Sequence, residues 1–291
     1  MADVKIPKII WQTYKTHEIP SKWIPSPESL KTHHPSWSYH FVTDEDIRKF
    51  VEQEYPQYLN LYDRVGAEIK HICRVDMVRC LLLHKYGGFY IDLDYKALKA
   101  FDPLFVGDAD IYVFKTPNMG NSYTNSFMAS KPKVEFWIKC IELIQYRLDN
   151  CPWYIFGDLR VLWTTGPGLL TSVLEKYNQP YMTIPSKLGH PCTICDHYFN
   201  RVCSDSDSYV EELPGSSWTS PSTQIFYFTV CQWYDILLLV LIMLTIVILY
   251  LLFSKTFSSI SYSGTSSDAV NKYSKGSSDT VNKYSKGSSV T

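Results

Sequence analysis

The sequence lacks an excess of charge of either sign and has few cysteines for its length. Its 291 residues include 28 Lys and Arg against 29 Asp and Glu, so no basic excess argues for a nucleic-acid partner. Eight cysteines are too few to build a chain of this size around disulfides. The first 14 residues contain no apolar signal-peptide core and predict a short buried strand, Lys8–Gln12. These absences favour an enzyme of small polar substrates.

What the sequence does contain is one long apolar run, residues 236–253, interrupted only by Thr245. As a helix it would be about 27 Å long, close to the hydrocarbon thickness of a bilayer. Trp233 and Tyr234 precede it at an interfacial position, and Lys255 follows it. A buried core helix is the alternative, but such helices rarely lack a polar face over five turns. We therefore predict a single-pass membrane protein.

The chain after this run contains two copies of an eleven-residue repeat rich in Ser, Gly and Lys. Each copy has one Val and one Tyr, too little to bury a core, which predicts a disordered tail. The predicted organisation is a catalytic domain over residues 1–220, a juxtamembrane segment over 221–235, a transmembrane helix over 236–253 and the tail over 254–291. Lysines follow the apolar run while Asp235 precedes it, and this bias predicts a cytosolic tail.

Residues 1–220 alternate between strand-like and helical patterns. Alternation of this kind predicts an α/β domain with a largely parallel sheet, in which ligands bind at the carboxyl ends of the strands. The predicted strands are Ile9–Trp11, Tyr39–Val42, Gly88–Asp92 and Ile111–Phe114, and the predicted helices are Asp46–Gln53, Ala67–Tyr86, Lys133–Leu148 and Pro167–Lys176.

Two charged residues lie inside the apolar face of the helix predicted over Ala67–Tyr86. Asp76 and Arg79 are three residues apart on that face. Charges directed at a core are costly unless they pair with each other or with a polar ligand. A purely structural ion pair is the alternative to a ligand-binding role.

The residues that follow favour the ligand-binding role. Gly87 and Gly88 end the helix, and a short strand then leads to Asp92 and Asp94. Residues two apart in a strand project to the same side, so the two carboxylates should converge. A hard divalent cation binds such carboxylates, with phosphate oxygens and water completing its shell. Bound to a diphosphate, the cation would neutralise the charge of a departing nucleoside diphosphate.

Together these residues resemble the DXD sugar-binding region of glycosyltransferase family 32. The family includes initiating α-mannosyltransferases and inositol phosphoceramide mannosyltransferases, and the similarity extends over most of residues 5–220. Further segments stand in the order that the family shows: Ile6–Ile10 with Gln12-Thr13, Pro35–Trp37, Thr43–Asp46, Asn125–Ser130 with Pro132 and Trp137, Thr165–Pro167 and Gly215–Trp218.

The resemblance implies a GT-A-type fold, which is a Rossmann-like, mixed and mostly parallel sheet flanked by helices. It also implies Mn²⁺ (or Mg²⁺), bound directly by Asp94 and through water by Asp92. The residues that the resemblance assigns to the donor are Asp76 and Arg79 for the sugar, Asp92 for the ribose, Trp11 or Tyr14 for the base, Asn125 for a sugar, and Ser217 and Trp218 for the diphosphate. Core packing is the alternative for Trp11 and Tyr14, and a turn is the alternative for Asn125.

The sequence departs from the family pattern near its end. Glu211 and Glu212 stand where many members carry histidine, so Glu212 is a further candidate metal ligand. Upstream lies a cluster of His190, Cys192, Cys195, His197 and Cys203. This cluster allows three interpretations, namely a zinc site, a disulfide, or unpaired loop cysteines.

The function that the resemblance implies is retaining transfer of a hexose, foremost mannose from GDP-mannose. A UDP-sugar is the other donor class, and the acceptor is an inositol-phosphoceramide-type lipid or a glycan. The alternatives are a membrane-tethered sugar- or nucleotide-binding protein without turnover and a metal-dependent nucleotide-sugar hydrolase. A Golgi or other secretory-pathway membrane is the expected location. The charge bias predicts a lumenal catalytic domain, and the alternative is a cytosolic one, because a C-terminal anchor without a cleavable N-terminal signal is normally inserted after synthesis.

Overall fold

The computed structural model describes residues 5–177, 180–215 and 218–274. The chain divides into two compact units, Met1–Cys231 and Gln232–Thr291. The first unit holds the sheets, nine helices among its described residues, and every site residue discussed below. The second unit continues the last helix.

The main sheet of the first unit has six strands in the order β2-β1-β3-β6-β5-β7. Only β6 runs against the others, because it pairs antiparallel with both β3 and β5 while the remaining pairs are parallel. A two-stranded sheet, β4 with β8, stands beside the site. The strands are β1 (Ile9–Tyr14), β2 (Ser38–Thr43), β3 (Gly88–Ile91), β4 (Tyr95–Ala97), β5 (Ile111–Lys115), β6 (Tyr123–Ser130), β7 (Tyr181–Ile184) and β8 (Val210–Glu212).

Helices alternate with these strands along the chain. They are α1 (Pro25–His33), α2 (Asp44–Glu54), α3 (Leu59–Glu68), α4 (Ile72–Tyr86), α5 (Phe136–Asp149), α6 (Asp158–Thr164), α7 (Pro167–Lys176), α8 (Ser186–Gly189), α9 (Ile194–Tyr198) and α10 (Pro221–Ser274). The predicted GT-A-type architecture, a mixed and mostly parallel sheet flanked by helices, is confirmed.

The core lies on both faces of the main sheet, as the alternation of side chains along each strand requires. Trp11, Tyr90 and Met128 belong to the cluster that packs against α4, α5 and α7. Their strand neighbours Ile10 and Phe89 belong to the cluster on the opposite face, which includes Phe101 and Phe127. Five of the six main strands therefore run in one direction through a fully covered sheet, and their carboxyl ends form one edge.

Two glycines make the sharp entry from α4 into β3 possible. Gly87 and Gly88 have φ angles of 67° and 91°, a region that side chains disfavour. A Cβ at Gly88 would lie 2.6 Å from the Ile9 carbonyl oxygen, and one at Gly87 would lie 2.8 Å from the Ser130 carbonyl oxygen. The glycines thus let β3 start in close contact with its neighbours, which fixes where the strand ends.

The single helix predicted over Ala67–Tyr86 is wrong, because the structure has two. α3 ends at Glu68 and α4 begins at Ile72, with a tight turn between them. Lys70 lies in this turn. Its amine contacts Asp158 and donates to the Trp218 carbonyl oxygen at 2.9 Å. The apolar period continues across the break, so the sequence pattern gave no sign of it.

In the second unit, α10 contains the candidate membrane span. Ile236–Ser254 is long and apolar enough to cross a membrane, by length and composition. This agrees within one residue with the run predicted at 236–253. The second repeat copy, residues 277–287, lies outside the described residues.

Candidate functional site

The two aspartates of the DXD motif lie in a turn at the carboxyl end of β3. The turn is held by its backbone, since the Asp92 amide donates to the Ser126 carbonyl oxygen at 2.8 Å. Gln12 Nε2 donates to the Asp92 carbonyl oxygen at 3.1 Å, and the Leu213 amide donates to that of Asp94 at 2.7 Å. Contacts from β1, β6 and the end of β8 therefore define the position of both carboxylates.

Asp76 and Arg79 form a buried ion pair on α4, as the sequence predicts. Arg79 Nη2 lies 2.9 Å from Asp76 Oδ1, and both side chains are at most 5% exposed. Asp76 also accepts hydrogen bonds from Asn125 Nδ2 at 3.1 Å and from the Thr165 hydroxyl at 2.7 Å. Both oxygens of the Asp76 carboxylate therefore have partners, which come from α4, from β6 and from the residue that follows α6.

Arg79 connects this pair to the DXD turn. Its Nη2 lies 3.4 Å from Asp92 Oδ1, which also accepts a 2.8 Å hydrogen bond from the Tyr90 hydroxyl. The guanidinium lies over the Tyr90 ring at 4.6 Å. Burial disfavours its charge, but Asp92, Tyr90 and Asp76 outweigh that effect and raise the pKa of Arg79. A permanent positive charge is therefore held between the two acidic groups.

Asp94 differs from Asp92 because part of its carboxylate is unsatisfied. Among the described residues, Asp94 Oδ1 is buried without a hydrogen-bond partner. Burial, with the neighbouring carboxylates of Asp92 and Glu212, raises the pKa of Asp94 to about 8. Gly215 leaves the space that this side chain occupies, since a Cβ there would lie 1.9 Å from Asp94 Oδ2. A buried carboxylate oxygen with an open lone pair is what a cation ligand requires.

Glu212 is buried close to Asp94, but its own carboxylate is saturated. Its Oε1 lies 3.1 Å from a ring nitrogen of His190, from one of His197 and from the Tyr95 hydroxyl. Its Oε2 accepts the Cys192 amide at 3.0 Å. Burial opposes ionisation, yet His190 and His197 lower the pKa of Glu212 well below its usual range. Glu212 therefore holds the two histidines in place.

His197 is the residue that this arrangement leaves open toward a ligand. Its Nε2 contacts Glu212, while its Nδ1 is buried without a hydrogen-bond partner in the described part of the chain. Burial lowers the pKa of the His197 ring, but the interactions with Glu212 and then Asp94 outweigh this effect, so the pKa of His197 is raised. The interaction with Asp94 places His197 within electrostatic reach of the DXD carboxylate. An imidazole ring so oriented by a carboxylate is a common metal ligand.

The cysteines of the predicted cluster are joined in disulfides. Cys192 bonds to Cys203 and Cys195 bonds to Cys231. Cys192, His197 and Glu212 come within 4.8 Å of one another, but a disulfide sulfur is not the thiolate that zinc needs. Of the three interpretations of the cluster, the structure therefore supports disulfide bonding.

The other predicted donor residues fall in different environments. Trp11 is buried, donates its indole N–H to the Gly87 carbonyl oxygen at 3.0 Å and stacks on His40 and Tyr86, which is the core-packing alternative. Tyr14 is half-buried at the end of β1 and packs with the cluster that contains Leu93 of the DXD turn. Of the two aromatic candidates for the base contact, Tyr14 is therefore the one near the DXD motif.

Asn125 lies in the Asp76 group, and Trp218 packs against the core beside Lys70. Asn125 donates to Asp76, and its carbonyl oxygen accepts from Arg79 at 2.5 Å. Trp218 is half-buried against the core, with the Lys70 amine 6.0 Å from its ring centroid. Ser217 lies outside the described residues.

The sequence analysis did not predict the roles of three residues of the site. Gln12 and Thr165 were noted as parts of motifs but given no role at the turn or at Asp76, and His197 was considered only as a zinc ligand. No spacing pattern connects these residues to the DXD turn. Their common signal is chemical, because each is a polar residue directed into a buried environment.

The residues present fit a divalent cation, which the DXD motif of this family implies. Asp94 Oδ1 and His197 Nδ1 are buried atoms without a hydrogen-bond partner among the described residues, and Asp92 belongs to the same turn as Asp94, with a side chain that is 30% exposed. Glu212, the further candidate ligand, is engaged with other partners. The carboxylate oxygens suit a hard divalent cation such as Mn²⁺ or Mg²⁺.

Comparison with known proteins supports the same chemistry. Residues 20–110 match the family described as "Glycosyltransferase sugar-binding region containing DXD motif". The chain is similar to inositol phosphoceramide mannosyltransferase 3 of Schizosaccharomyces pombe, with 30% identity over 78% of this chain and 60% of that protein. It is also similar to mannosyl phosphorylinositol ceramide synthase CSH1 of Saccharomyces cerevisiae, with 36% identity over 73% of this chain and 53% of that protein. The chain thus spans somewhat more than half the length of these relatives.

Among solved structures, the PaToxG glycosyltransferase aligns with 59% of this chain and 69% of its own, at 20% identity and a TM-score of 0.48. Mouse xyloside xylosyltransferase 1 aligns with 73% of this chain and 98% of its own, at 13% identity and a TM-score of 0.43. The buried Asp76–Arg79 pair, the DXD turn and the family match agree with one another. Residues 20–110 therefore carry the sugar-binding region of the DXD glycosyltransferases, and the resemblance to glycosyltransferase family 32 is confirmed.

Proposed function

We propose that the chain is a retaining glycosyltransferase that moves mannose from GDP-mannose to an inositol-phosphoceramide-type lipid. The observation that carries the proposal is that two buried atoms, Asp94 Oδ1 and His197 Nδ1, have no hydrogen-bond partner among the described residues, on side chains close enough to interact electrostatically. Such atoms are costly to bury unless a ligand completes them. A cation bound to a donor diphosphate is that ligand.

In this proposal Asp94 and His197 would hold the cation, Mn²⁺ foremost, and Asp92 would contact it through water and the donor ribose directly. The bound cation would neutralise the diphosphate as it leaves. Glu212 orients the His197 ring, and the Asp92 backbone contacts hold the turn in register with β6. The site is thus arranged before the donor arrives, which lowers the cost of organising it during the reaction.

The Asp76 group would bind the transferred sugar. Arg79 and Asn125 converge on Asp76 within 3.1 Å, and Arg79 Nε is a buried donor without a partner among the described residues. Sugar hydroxyls act as both donors and acceptors, so they can bind this mixture of acidic, basic and amide groups. Tyr14 is the proposed contact for the base, while Ser217 and Trp218 are proposed for the diphosphate.

The lipid acceptor is supported by the relatives, whose names place inositol phosphoceramide and its mannosylated product in their reactions. The candidate span Ile236–Ser254 supports a location at a membrane, where such an acceptor resides. The two disulfides support an oxidising compartment for residues 1–231. We therefore place the catalytic domain in the lumen of the Golgi or another secretory compartment, with the tail in the cytosol.

The decisive experiment uses the purified full chain in detergent with Mn²⁺ and a panel of GDP- and UDP-sugars. Nucleotide release is measured with and without inositol phosphoceramide, and the lipid is analysed for added hexose by mass. We expect release from GDP-mannose that requires the lipid. Asp92→Asn is the inactive control, and Asp207→Asn, at an exposed position far along the sequence, is the matched active one.

Two results would contradict the proposal. Release that is equally fast without any acceptor would identify a nucleotide-sugar hydrolase. Tight donor binding with no release from any donor would identify a binding protein without turnover.

A further inference from the structure

The loop between α5 and α6 exposes an unusual concentration of aromatic side chains. Within nine residues, Trp153 is 91% exposed, Phe156 is 71% exposed, and Tyr154 and Leu159 are 59% and 58% exposed. Residues 151–157 contain no charged side chain. Soluble surfaces rarely present contiguous apolar groups in this way unless something covers them. We call residues 151–159 the aromatic loop.

The aromatic loop is fastened to the segment that leads into the candidate membrane span. Asp158 Oδ2 accepts the Ser220 amide at 2.6 Å and the Ser220 hydroxyl at 3.0 Å. Ser220 immediately precedes α10, the helix whose sequence continues into Ile236–Ser254. Lys70 reinforces the junction because its amine contacts both Asp158 and the Trp218 carbonyl oxygen.

The first turns of α10 extend the same kind of surface. Ile225 and Phe226 are 67% and 61% exposed, and Phe228 is 41% exposed. Apolar side chains thus continue from the aromatic loop, through the Asp158–Ser220 contact, onto the part of α10 that belongs to the first unit. Only fifteen residues separate Ser220 from the start of the candidate span at Ile236.

The aromatic loop is also close to the sugar-binding group. α6 begins at Asp158 and ends at Thr164, and Thr165, which follows it, donates to Asp76 at 2.7 Å. Seven residues of helix extend about 10 Å. A surface that the loop touches therefore lies about two helical turns from the residues proposed to hold the transferred sugar.

We propose that the aromatic loop docks into the interfacial region of the lipid bilayer and brings the site to its lipid acceptor. Trp and Tyr favour this region, because their rings are apolar while their N–H and O–H groups reach the headgroups. Phe156 and Leu159 add apolar area that water would otherwise cover. The inference rests on the membrane association proposed above, but it does not depend on which sugar is transferred.

The test uses the full chain reconstituted in lipid nanodiscs that contain a phospholipid with a photoactivatable acyl chain. After illumination, lipid adducts are mapped by peptide mass spectrometry. We expect adducts on peptides that cover the aromatic loop and on the candidate span. The internal comparison is the peptide around Val202, which is also apolar and 54% exposed, and we expect several-fold fewer adducts there. Interfacial side chains reach about 5–10 Å into the headgroup and acyl boundary, within range of such a probe.

The double variant Trp153→Ser/Phe156→Ser should lose most adducts on its loop peptide while retaining those on the span, and Val202→Ser is the matched control that should change neither. A second measurement compares nucleotide release with the lipid acceptor embedded in vesicles and dispersed in detergent. The double variant should be several-fold slower in vesicles only. Because neither side chain contacts the described site, turnover in detergent should remain at the wild-type level.

Adducts on the span without adducts on the aromatic loop would overturn the docking proposal while leaving membrane association intact. Adducts on neither segment would overturn both. A loop that is covered instead by a second copy of the chain would give protein–protein crosslinks in place of lipid adducts, which also contradicts the proposal.

Discussion

Replacing Asp94 with asparagine is expected to stabilise the protein when no divalent cation is present. Asp94 Oδ1 is buried without a partner among the described residues, and two further carboxylates, of Asp92 and Glu212, face the same space. These surroundings raise the pKa of Asp94 to about 8. Asparagine keeps the shape of the side chain but removes the charge that the empty site disfavours.

The magnitude follows from linkage between ionisation and folding. An aspartate in the unfolded chain has a pKa of about 4, and each pKa unit corresponds to about 1.4 kcal/mol, so the shift of Asp94 bounds the cost at about 5 kcal/mol. Water entry and side-chain relaxation reduce this, and we expect a gain of about 1–2 kcal/mol. For a domain of this size that gain raises Tm by about 2–8 °C.

The pH dependence has a definite sign. Folded Asp94 keeps a proton that the unfolded chain releases between about pH 4 and pH 8, so this residue makes the wild-type protein less stable as pH rises through that window. Asparagine does not titrate. The stability advantage of Asp94→Asn should therefore widen from about pH 4 to about pH 8 and remain constant above it.

The assay is thermal unfolding of the detergent-solubilised full chain in EDTA at pH 5 and pH 9, followed by circular dichroism. Asp207→Asn is the control, because Asp207 is exposed and its ion pair with Lys187 is exposed as well, so a small change is expected. Adding Mn²⁺ should reverse the order, since only the wild-type protein keeps the ligand. An Asp94→Asn variant that is no more stable than wild type at pH 9 in EDTA would refute the reasoning.

Four further outcomes are expected. Asp92→Asn should abolish donor turnover in the nucleotide-release assay with an unchanged circular dichroism spectrum, and substantial Mn²⁺-dependent activity would contradict the metal assignment. Asp76→Ala should cost about 3 kcal/mol of stability, because it removes the nearer of the two carboxylates that pair with the buried Arg79, and should severely reduce turnover while leaving calorimetric affinity for the nucleoside diphosphate nearly unchanged; normal kinetics would instead indicate a structural ion pair. His197→Ala should weaken Mn²⁺ affinity about 10–100-fold, as measured by electron paramagnetic resonance of free Mn²⁺, and an unchanged affinity would exclude the ring as a ligand. On sealed microsomes, an epitope on the catalytic domain should be protected from protease and one on the tail digested; the reverse pattern would refute the lumenal orientation.

The parts of the site that the sequence predicted are those encoded by short spacing on one element. Asp76 and Arg79 are three residues apart on α4, and helical periodicity was enough to bring them together as an ion pair. Asp92 and Asp94 lie in a turn after β3 rather than in the strand, so strand alternation does not describe them, and their shared role at a metal stays a prediction. His197 reaches the same place from more than a hundred residues away. Its role depends on the contact between His197 of α9 and Glu212 of β8, which the periodicity of neither element can predict.

The sequence pattern also could not predict the role of a residue that suited two roles equally well. Trp11 is an aromatic in the opening strand, and its sequence position fits a base contact and core packing equally well. The structure has the packing arrangement because Gly87 presents a carbonyl oxygen to the indole N–H. Glu212 shows the same ambiguity, since an acidic residue near a DXD turn suits both a ligand and a partner for His197. Only the three-dimensional neighbours distinguish these uses.

The bond between Cys195 and Cys231 has a consequence for how the protein would come apart. It closes a covalent ring between two cysteines that are 36 positions apart along the sequence. Cys231 lies on α10, before the candidate span, and Cys195 lies two residues from His197. A protease that cuts anywhere inside this ring opens it but does not divide the chain, so the catalytic domain stays attached to its anchor. Shedding of the domain from a membrane by a cut inside this ring would therefore also require reduction of the bond, whereas a cut between Cys231 and the candidate span would not.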